Sequence, residues 1–367
     1  MTLISAVSPP YGAPPDLSGR PSARGLAVVV CGFFAVLCAA VIGVVPARYA
    51  ILSPGPATNA LGSASGQKLI QVTGHQTYPT TGALDFTTVR IYGGPGTHVN
   101  LFLALKGWLS ESDAVIPEEL EFPKGQTSKQ IDEQNAQDMT TSQEDAAAAA
   151  LRELGITVPE IITIVSRTAT APSAKVLRDG DIITSIDGVK LTSDTQLHAA
   201  IEKHRPGDVL RLGLIRNKKP LMVNAKTTKD GNRTLLGISP GITFDLPFTV
   251  KIDTHDVGGP SAGTMFALAV YDTLTRGSLT GGKRIAGTGT IDPSDGAVGP
   301  IGGIAQKLIG ARDAGAQWFL APSSNCDEVV GHVPDGLRVV KISTLHEARL
   351  DVQKIAAGTG KSLPGCG

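Results

Sequence analysis

The chain has 367 residues carrying 33 basic and 33 acidic side chains, and this neutral balance leaves no electrostatic footprint for nucleic acid. Its length suits two or three domains with a real core. Glycine is abundant at 43 residues and aromatic content is only 4%, which suits a loop-punctuated fold packed with aliphatic side chains; no CxxC pair or His/Cys cluster marks a metal or cofactor.

Residues 1–24 are rich in Pro, Ser and Gly and lack apolar periodicity, so they are expected to be a disordered cytoplasmic tail. Gly25 to Val45 follows, 21 residues without a charge. As a helix this run is roughly 30 Å long, enough to cross a bilayer. Arg20 and Arg24 precede it and only Arg48 follows closely, which favours an N-terminus inside and everything after residue 46 outside the cytoplasm. Val45-Pro46-Ala47 loosely fits a signal-peptidase site, but the run exceeds the usual length of roughly 7 to 15 residues, and a retained anchor is the preferred reading. Cys31 and Cys38 lie inside this span and read as inert small apolar residues.

Residues 46–153 hold strand-like pieces, Lys68–Thr73 and Leu84–Ile91, and a helix-like Val99 to Leu109. Two capping-box patterns, Thr127 to Gln130 and Thr141 to Glu144, predict two helical runs ending in the alanines of 146–150. This stretch reads as a membrane-proximal α/β region without chemistry of its own.

From residue 154 to 228 the pattern changes to short strands around one helix. Ile161–Val165 reads as a strand, Ala171-Pro-Ser-Ala as a turn, Leu177-Arg-Asp-Gly-Asp-Ile and Asp187-Gly188 as turn and strand, Ser193 to Lys203 as a helix, and Gly207 to Arg216 as a strand. In that order these segments resemble a PDZ domain. The resemblance implies that an extended polypeptide adds to a sheet edge while a loop of backbone N–H groups holds its terminal carboxylate. Leu154, Gly155 and Ile156 match the Φ-Gly-Φ form of that loop; Gly155 fits a helix C-cap equally well.

The stretch from Gly258 to Lys307 carries the chemistry. Gly258-Gly259-Pro260 cannot sit inside a helix, so a helix is predicted to begin at Ser261, with Met265, Phe266, Leu268 and Ala269 on its apolar side. A serine there has unpaired backbone N–H groups beside it, suited to stabilising an oxyanion, but it is also a preferred cap residue. A second helix is predicted after Gly302-Gly303, where Ile304, Leu308 and Ala311 form the apolar side next to Lys307. A lysine in an apolar site loses its proton readily and can act as a base, whereas a surface lysine merely snorkels.

Taken together, Gly259-Pro260-Ser261-Ala262-Gly263, Thr288-Gly289 and Pro300-Ile-Gly-Gly followed by Lys307 resemble the proteolytic domain of the Lon protease family. The resemblance covers residues 235–349. It implies a Ser261–Lys307 catalytic dyad, with Thr288 as a hydrogen-bond partner of the lysine and Gly259, Pro260 and Asp256 in support. The chain departs from the family at Val257-Gly258, where Lys-Asp is usual, and at Thr290, where a glutamate is usual. His255 and Asp256 also invite a Ser-His-Asp arrangement, but sequence proximity does not make a triad, and the lysine explains the spacing better.

The expected architecture is therefore a mixed α+β and α/β chain. It comprises an N-terminal transmembrane helix, a PDZ-like domain over 154–228, a Lon-type proteolytic domain over 232–355 and a C-terminal tail over 356–367. Cys326 and Cys366 are able to pair in an oxidising compartment. No Gly-x-x-x-x-Gly-Lys-Ser/Thr phosphate loop is present, so no ATP is expected. The expected partners are polypeptide substrates and, through Gly25 to Val45, the lipid bilayer; a homo-oligomer is compatible with both. The other reading is a membrane-tethered PDZ peptide-binding or sensing protein whose protease-like domain is inactive or processes only itself.

Overall fold

The structure is a computed structural model and describes residues 23–64, 66–254 and 257–367. The N-terminal tail up to residue 22, His255 and Asp256 lie outside the described residues. Helix α1 (Ala23–Val44) is long and apolar enough to cross a membrane, and none of its described side chains is buried in a core.

Along the chain follow strand β1 (Tyr49–Asn59), β2 (Ala83–Tyr92), helix α2 (Leu101–Trp108), β3 (Ala114–Pro117) and the 26-residue helix α3 (Ser128–Glu153). Next come β4 (Glu160–Arg167), β5 (Ile182–Ile186), α4 (Asp194–Glu202), β6 (Val209–Arg216), β7 (Lys219–Lys226) and β8 (Ile238–Phe244). The chain ends with α5 (Gly263–Leu274), β9 (Arg284–Gly287), α6 (Ile304–Asp313), β10 (Trp318–Pro322), β11 (Arg338–Ile342) and α7 (Leu345–Ala356).

Two six-stranded sheets organise these elements. The first has the order β11-β10-β9-β2-β1-β3; its first four strands are parallel and β1 runs antiparallel between β2 and β3. On one face Phe86, Ile285, Leu320 and Val340 pack with Phe266 and Leu268 of α5 and with the alanines of α3. On the other face Ala286, Phe319 and Ala321 pack with Ile304 and Leu308 of α6. The period-two alternation along β9 and β10 thus feeds two separate apolar layers.

This sheet overturns the expectation that residues 46–153 form a region apart. β2 pairs with β9, so Asp85 meets Arg284 across a separation of 199 residues, and three of the six strands come from the segment read as membrane-proximal. Pairing partners so distant leave no trace in local pattern. The two predicted helical runs of 127–153 are one helix. Thr127 and Gln130 form the capping box at its start, whereas no glycine or proline interrupts the segment at Thr141, and helix propensity carries the backbone through.

The second sheet has the order β7-β6-β5-β4-β8, with Val189–Lys190 paired to β5, and encloses its own core of Ile162, Ile164, Leu197, Leu210 and Leu212. Its outer strand is Ile238–Phe244, so this unit extends past residue 228 and takes in a segment assigned from sequence to the proteolytic domain. The whole unit is inserted between α3 and α5, which pack on each other.

The C-terminal tail is packed rather than free. Leu363 is buried, Lys341 N–H donates to the Pro364 carbonyl, and Cys366 is bridged to Cys326, closing a loop with a sequence separation of 40. The chain-entropy relation assigns such a loop about 4 kcal/mol. Replacing both cysteines by serine is expected to lower the unfolding free energy from urea titration by that order, and an unchanged value would remove the bridge from the stability account.

Candidate active site

The candidate residues gather at the C-terminal end of β9, ahead of α5 and α6. Thr288 directly follows β9. Helix α5 starts at Gly263 rather than at Ser261, because the chain first makes a turn through Gly259 and Pro260; Ser261 sits in this turn and does not cap the helix. Helix α6 starts at Ile304 as its glycines suggest. Gly303 caps it in a left-handed conformation (φ 66°), and a side chain there would meet Val89.

Lys307 lies on the first turn of α6 and is 2% exposed, one of the largest fully buried side chains described. Its Nζ is 2.8 Å from Ser261 Oγ and 3.1 Å from Thr288 Oγ1, and among the described residues no carboxylate pairs with it. Burial alone pushes the lysine pKa down from 10.5 to about 7, because the ammonium has lost its water without gaining a counter-charge.

The serine turn is held from two sides. Thr288 Oγ1 donates to the Ser261 carbonyl at 2.9 Å and Gly289 N–H donates to it at 2.8 Å. From α3, Ser142 Oγ donates to the Pro260 carbonyl at 3.0 Å, and the Asn135 carbonyl accepts from Gly259 N–H at 3.0 Å. Among the described residues the Ser261 and Ala262 N–H groups donate to no protein group, so both remain for an oxyanion. Ser142 and Asn135 were not legible as supports, since only tertiary packing brings them within reach. Asp256, the remaining support expected from sequence, lies outside the described residues.

A cleft of about 1490 Å³ opens over the pair, bounded by Val89 and Ile91 of β2, Ala114 and Ile116 of β3, Met139 of α3, and His332. Sites for small ligands hold roughly 300 to 1,000 Å³. The larger, open groove suits an extended polypeptide.

In the second sheet, Leu154, Gly155 and Ile156 do not form an anion loop. They terminate α3: Gly155 takes φ 76°, and all three N–H groups are committed to the carbonyls of Ala150, Arg152 and Leu151. Only residues 156–159 separate Gly155 from β4, and β8 is the strand paired beside β4. A second Φ-Gly-Φ stretch, Leu236-Gly237-Ile238, leads straight into β8. The Leu236 carbonyl accepts from Ser173 Oγ and the Gly237 carbonyl from Thr168 N–H, while among the described residues the N–H groups of Leu236 and Gly237 donate to no protein group. This stretch lies beside α4, whose Leu197 and Ile201 share a core with Leu236, and the motif itself was present in the sequence.

With this geometry in place, comparison with known proteins assigns both units. Residues 134–227 match the PDZ domain, and residues 254–354 match the Lon protease (S16) C-terminal proteolytic domain. Lon protease 1 of Bacillus subtilis is 32% identical over 117 residues, which is 30% of this chain and 15% of that protein. The periplasmic pH-dependent serine endoprotease DegQ of Escherichia coli is 34% identical over 97 residues, 23% of this chain and 21% of that protein. The chain therefore spans about a fifth or less of these relatives. Among solved structures, the PDZ domain of the SdrC-like protein from Listeria monocytogenes is 26% identical, covering 22% of this chain and 85% of that one with a TM-score of 0.21. The chain thus carries a PDZ domain and a Lon-type proteolytic domain, and its fold is mixed helix and strand behind an N-terminal apolar helix.

The buried lysine makes stability depend on pH. Below about pH 7 it is charged in both folded and unfolded chains and its desolvation cost is fully present; between about 7 and 10.5 the folded chain has released the proton that the unfolded chain still binds, so stability rises with pH. Lys307→Met is therefore expected to be more stable than the parent chain below pH 7, with the gap closing as pH rises. Urea titrations at pH 6 and 9 test this, and a gap independent of pH would place Lys307 outside an apolar site.

Proposed function

We propose that the chain is an ATP-independent, membrane-anchored serine endopeptidase that uses Ser261 as nucleophile and Lys307 as general base, and that its PDZ domain selects unfolded or flexible polypeptides outside the cytoplasm. The observation that carries this reading is the 2.8 Å approach of a buried lysine, with its pKa near 7, to the hydroxyl of a serine flanked by two free backbone N–H groups.

In the proposed reaction neutral Lys307 Nζ takes the Ser261 Oγ proton as Oγ bonds to the scissile carbonyl carbon. The Ser261 and Ala262 N–H groups hold the resulting oxyanion. Collapse breaks the C–N bond, and Lys307 returns the proton to the departing amine. Water then attacks the acyl-enzyme, losing a proton to Lys307, and as the C–Oγ bond breaks Lys307 passes that proton to Ser261 Oγ, releasing the acid product. Thr288 acts by position: it accepts from Nζ while its own proton is committed to the Ser261 carbonyl, so the lysine is aimed at Oγ.

The recruiting groove we place at Leu236-Gly237-Ile238, the outer edge of β8 and α4. A terminal carboxylate would rest on the free N–H groups of residues 236 and 237, with the peptide extending β8 as a further strand. ATP independence is supported by the lack of a phosphate loop in the sequence, and the anchor by α1.

Turnover is tested with the full chain in detergent acting on an unfolded reporter without nucleotide. Ser261→Ala and Lys307→Met should each lower kcat at least 10³-fold, and kcat/KM of the parent should rise through about pH 7 to a plateau as the lysine deprotonates. Cleavage surviving in Ser261→Ala would defeat the dyad. Failure of all three proteins to cleave, together with failure of a fluorophosphonate probe to label Ser261, would favour the peptide-binding reading. For the groove, a peptide with a free C-terminal carboxylate should slow amide hydrogen exchange at residues 236–238 and its C-terminal amide should not. Protection confined to 154–156 would overturn the placement.

A further inference from the structure

Helix α2 (Leu101–Trp108) buries one side and leaves the other bare. Ala104 and Gly107 face inward, and Gly107 comes so close to Val115 and Ile51 that a methyl group there would lie 2.6 Å from Val115 Cγ2. Outward stand Phe102 at 58% exposure, Leu105 at 46%, Trp108 at 52% and Leu109 at 79%, with Leu101 beside them. A contiguous apolar surface of this kind on a short helix is unusual for a protein facing water on all sides.

What lies beside α2 indicates what covers it. Asn100 caps the helix, accepting from Leu103 N–H through Oδ1 at 2.8 Å; the same side chain donates through Nδ2 to the Gly43 carbonyl in the last turn of α1 at 2.9 Å. Pro46 and Ala47, just beyond α1, pair with Asn100 and Val99. One asparagine and one strand pair therefore join the end of the apolar helix to the start of α2. If α1 crosses a bilayer, its last turn lies at the outer boundary of the hydrocarbon and α2 lies at that depth too. Trp and Phe on the bare side and Lys106 near the helix end suit a helix lying in that boundary.

We propose that α2 is an interfacial helix seated in the bilayer beside α1, and that the polypeptides reaching the cleft are segments of chain next to the membrane. The second part follows from the chain path. Immediately after α2, Glu111, Ser112 and Asp113 form a wall of the cleft, and Gln306, the neighbour of Lys307, donates through Nε2 to the Ser112 carbonyl at 3.3 Å. A bilayer holding α2 thus holds the cleft wall a few residues away. This inference rests on α1 being a membrane span and on the peptidase reading, and the test separates it from both.

The experiment uses full-length chain reconstituted in phosphatidylcholine/phosphatidylglycerol vesicles. The chain has two tryptophans, so Trp318→Phe leaves Trp108 as the reporter. Lipids brominated near the head of the acyl chain should quench its emission at least twofold, while Cys31 and Cys38 in α1 stay protected from a membrane-impermeant maleimide. Protected cysteines with unquenched Trp108 would overturn the proposal while leaving the span intact; a disulfide cross-link between Phe102→Cys chains under those conditions would assign the surface to a second copy instead. Labelled cysteines would remove the span and the proposal with it. Separately, Phe102→Ser/Leu105→Ser/Leu109→Ser should cut an unfolded reporter lipid-anchored to the same vesicles at least tenfold more slowly than the parent and an unanchored reporter at the parent rate. Equal loss on both reporters would overturn the substrate preference, and absence of cleavage by the parent would instead count against the peptidase reading.

Discussion

A lysine ammonium buried without a carboxylate is one of the costliest groups a protein can hold, and the proteolytic domain is arranged around the one at residue 307. Among the described residues its hydrogen-bond partners are two hydroxyls, Ser261 Oγ and Thr288 Oγ1. Each arrives from a different element, Ser261 ahead of α5 on one face of the sheet and Thr288 at the end of β9, while Lys307 descends from α6 on the other face. The three converge at the C-terminal end of β9. The apolar layers on both sides of the sheet thus set the protonation state of the lysine, and the sheet ends set its distance from the serine.

Around that point the supports form an outer ring. The Ser261 carbonyl accepts two hydrogen bonds, and Ser142 and Asn135 of α3 fix Pro260 and Gly259. Helix α3 can approach so closely because five of its eight buried positions are alanines, which leave room for Phe266 and Leu268 of α5. The alanine run that reads as helix propensity in the sequence thus serves as a thin wall behind Ser261.

Residues whose role is carried by local spacing were legible from sequence. Lys307 follows its helix-opening glycines closely, Ser261 lies within a Gly-Pro-Ser-Ala-Gly run, and Ser193 caps α4 where the pattern placed that helix. What escaped depends on distant partners. Asp85 and Arg284 share no local signal, so the contribution of 46–153 to the catalytic sheet was invisible. Leu154-Gly155-Ile156 and Leu236-Gly237-Ile238 carry the same motif; only the hydrogen bonds distinguish the one whose N–H groups close a helix from the one whose N–H groups are free.

The insertion of the PDZ domain between α3 and α5 also bears on how the chain folds. Strand β2 meets β9 across roughly two hundred residues, with an entire domain emerging between them. Closing so long a loop is slow, and the inserted unit, with its own core, is able to fold first. During synthesis the N-terminal half of the catalytic sheet waits beside a finished PDZ domain until β9, α6 and β10 follow. Until then the serine and the lysine have no common site, and a chain cut short before residue 307 holds Ser261 without Lys307.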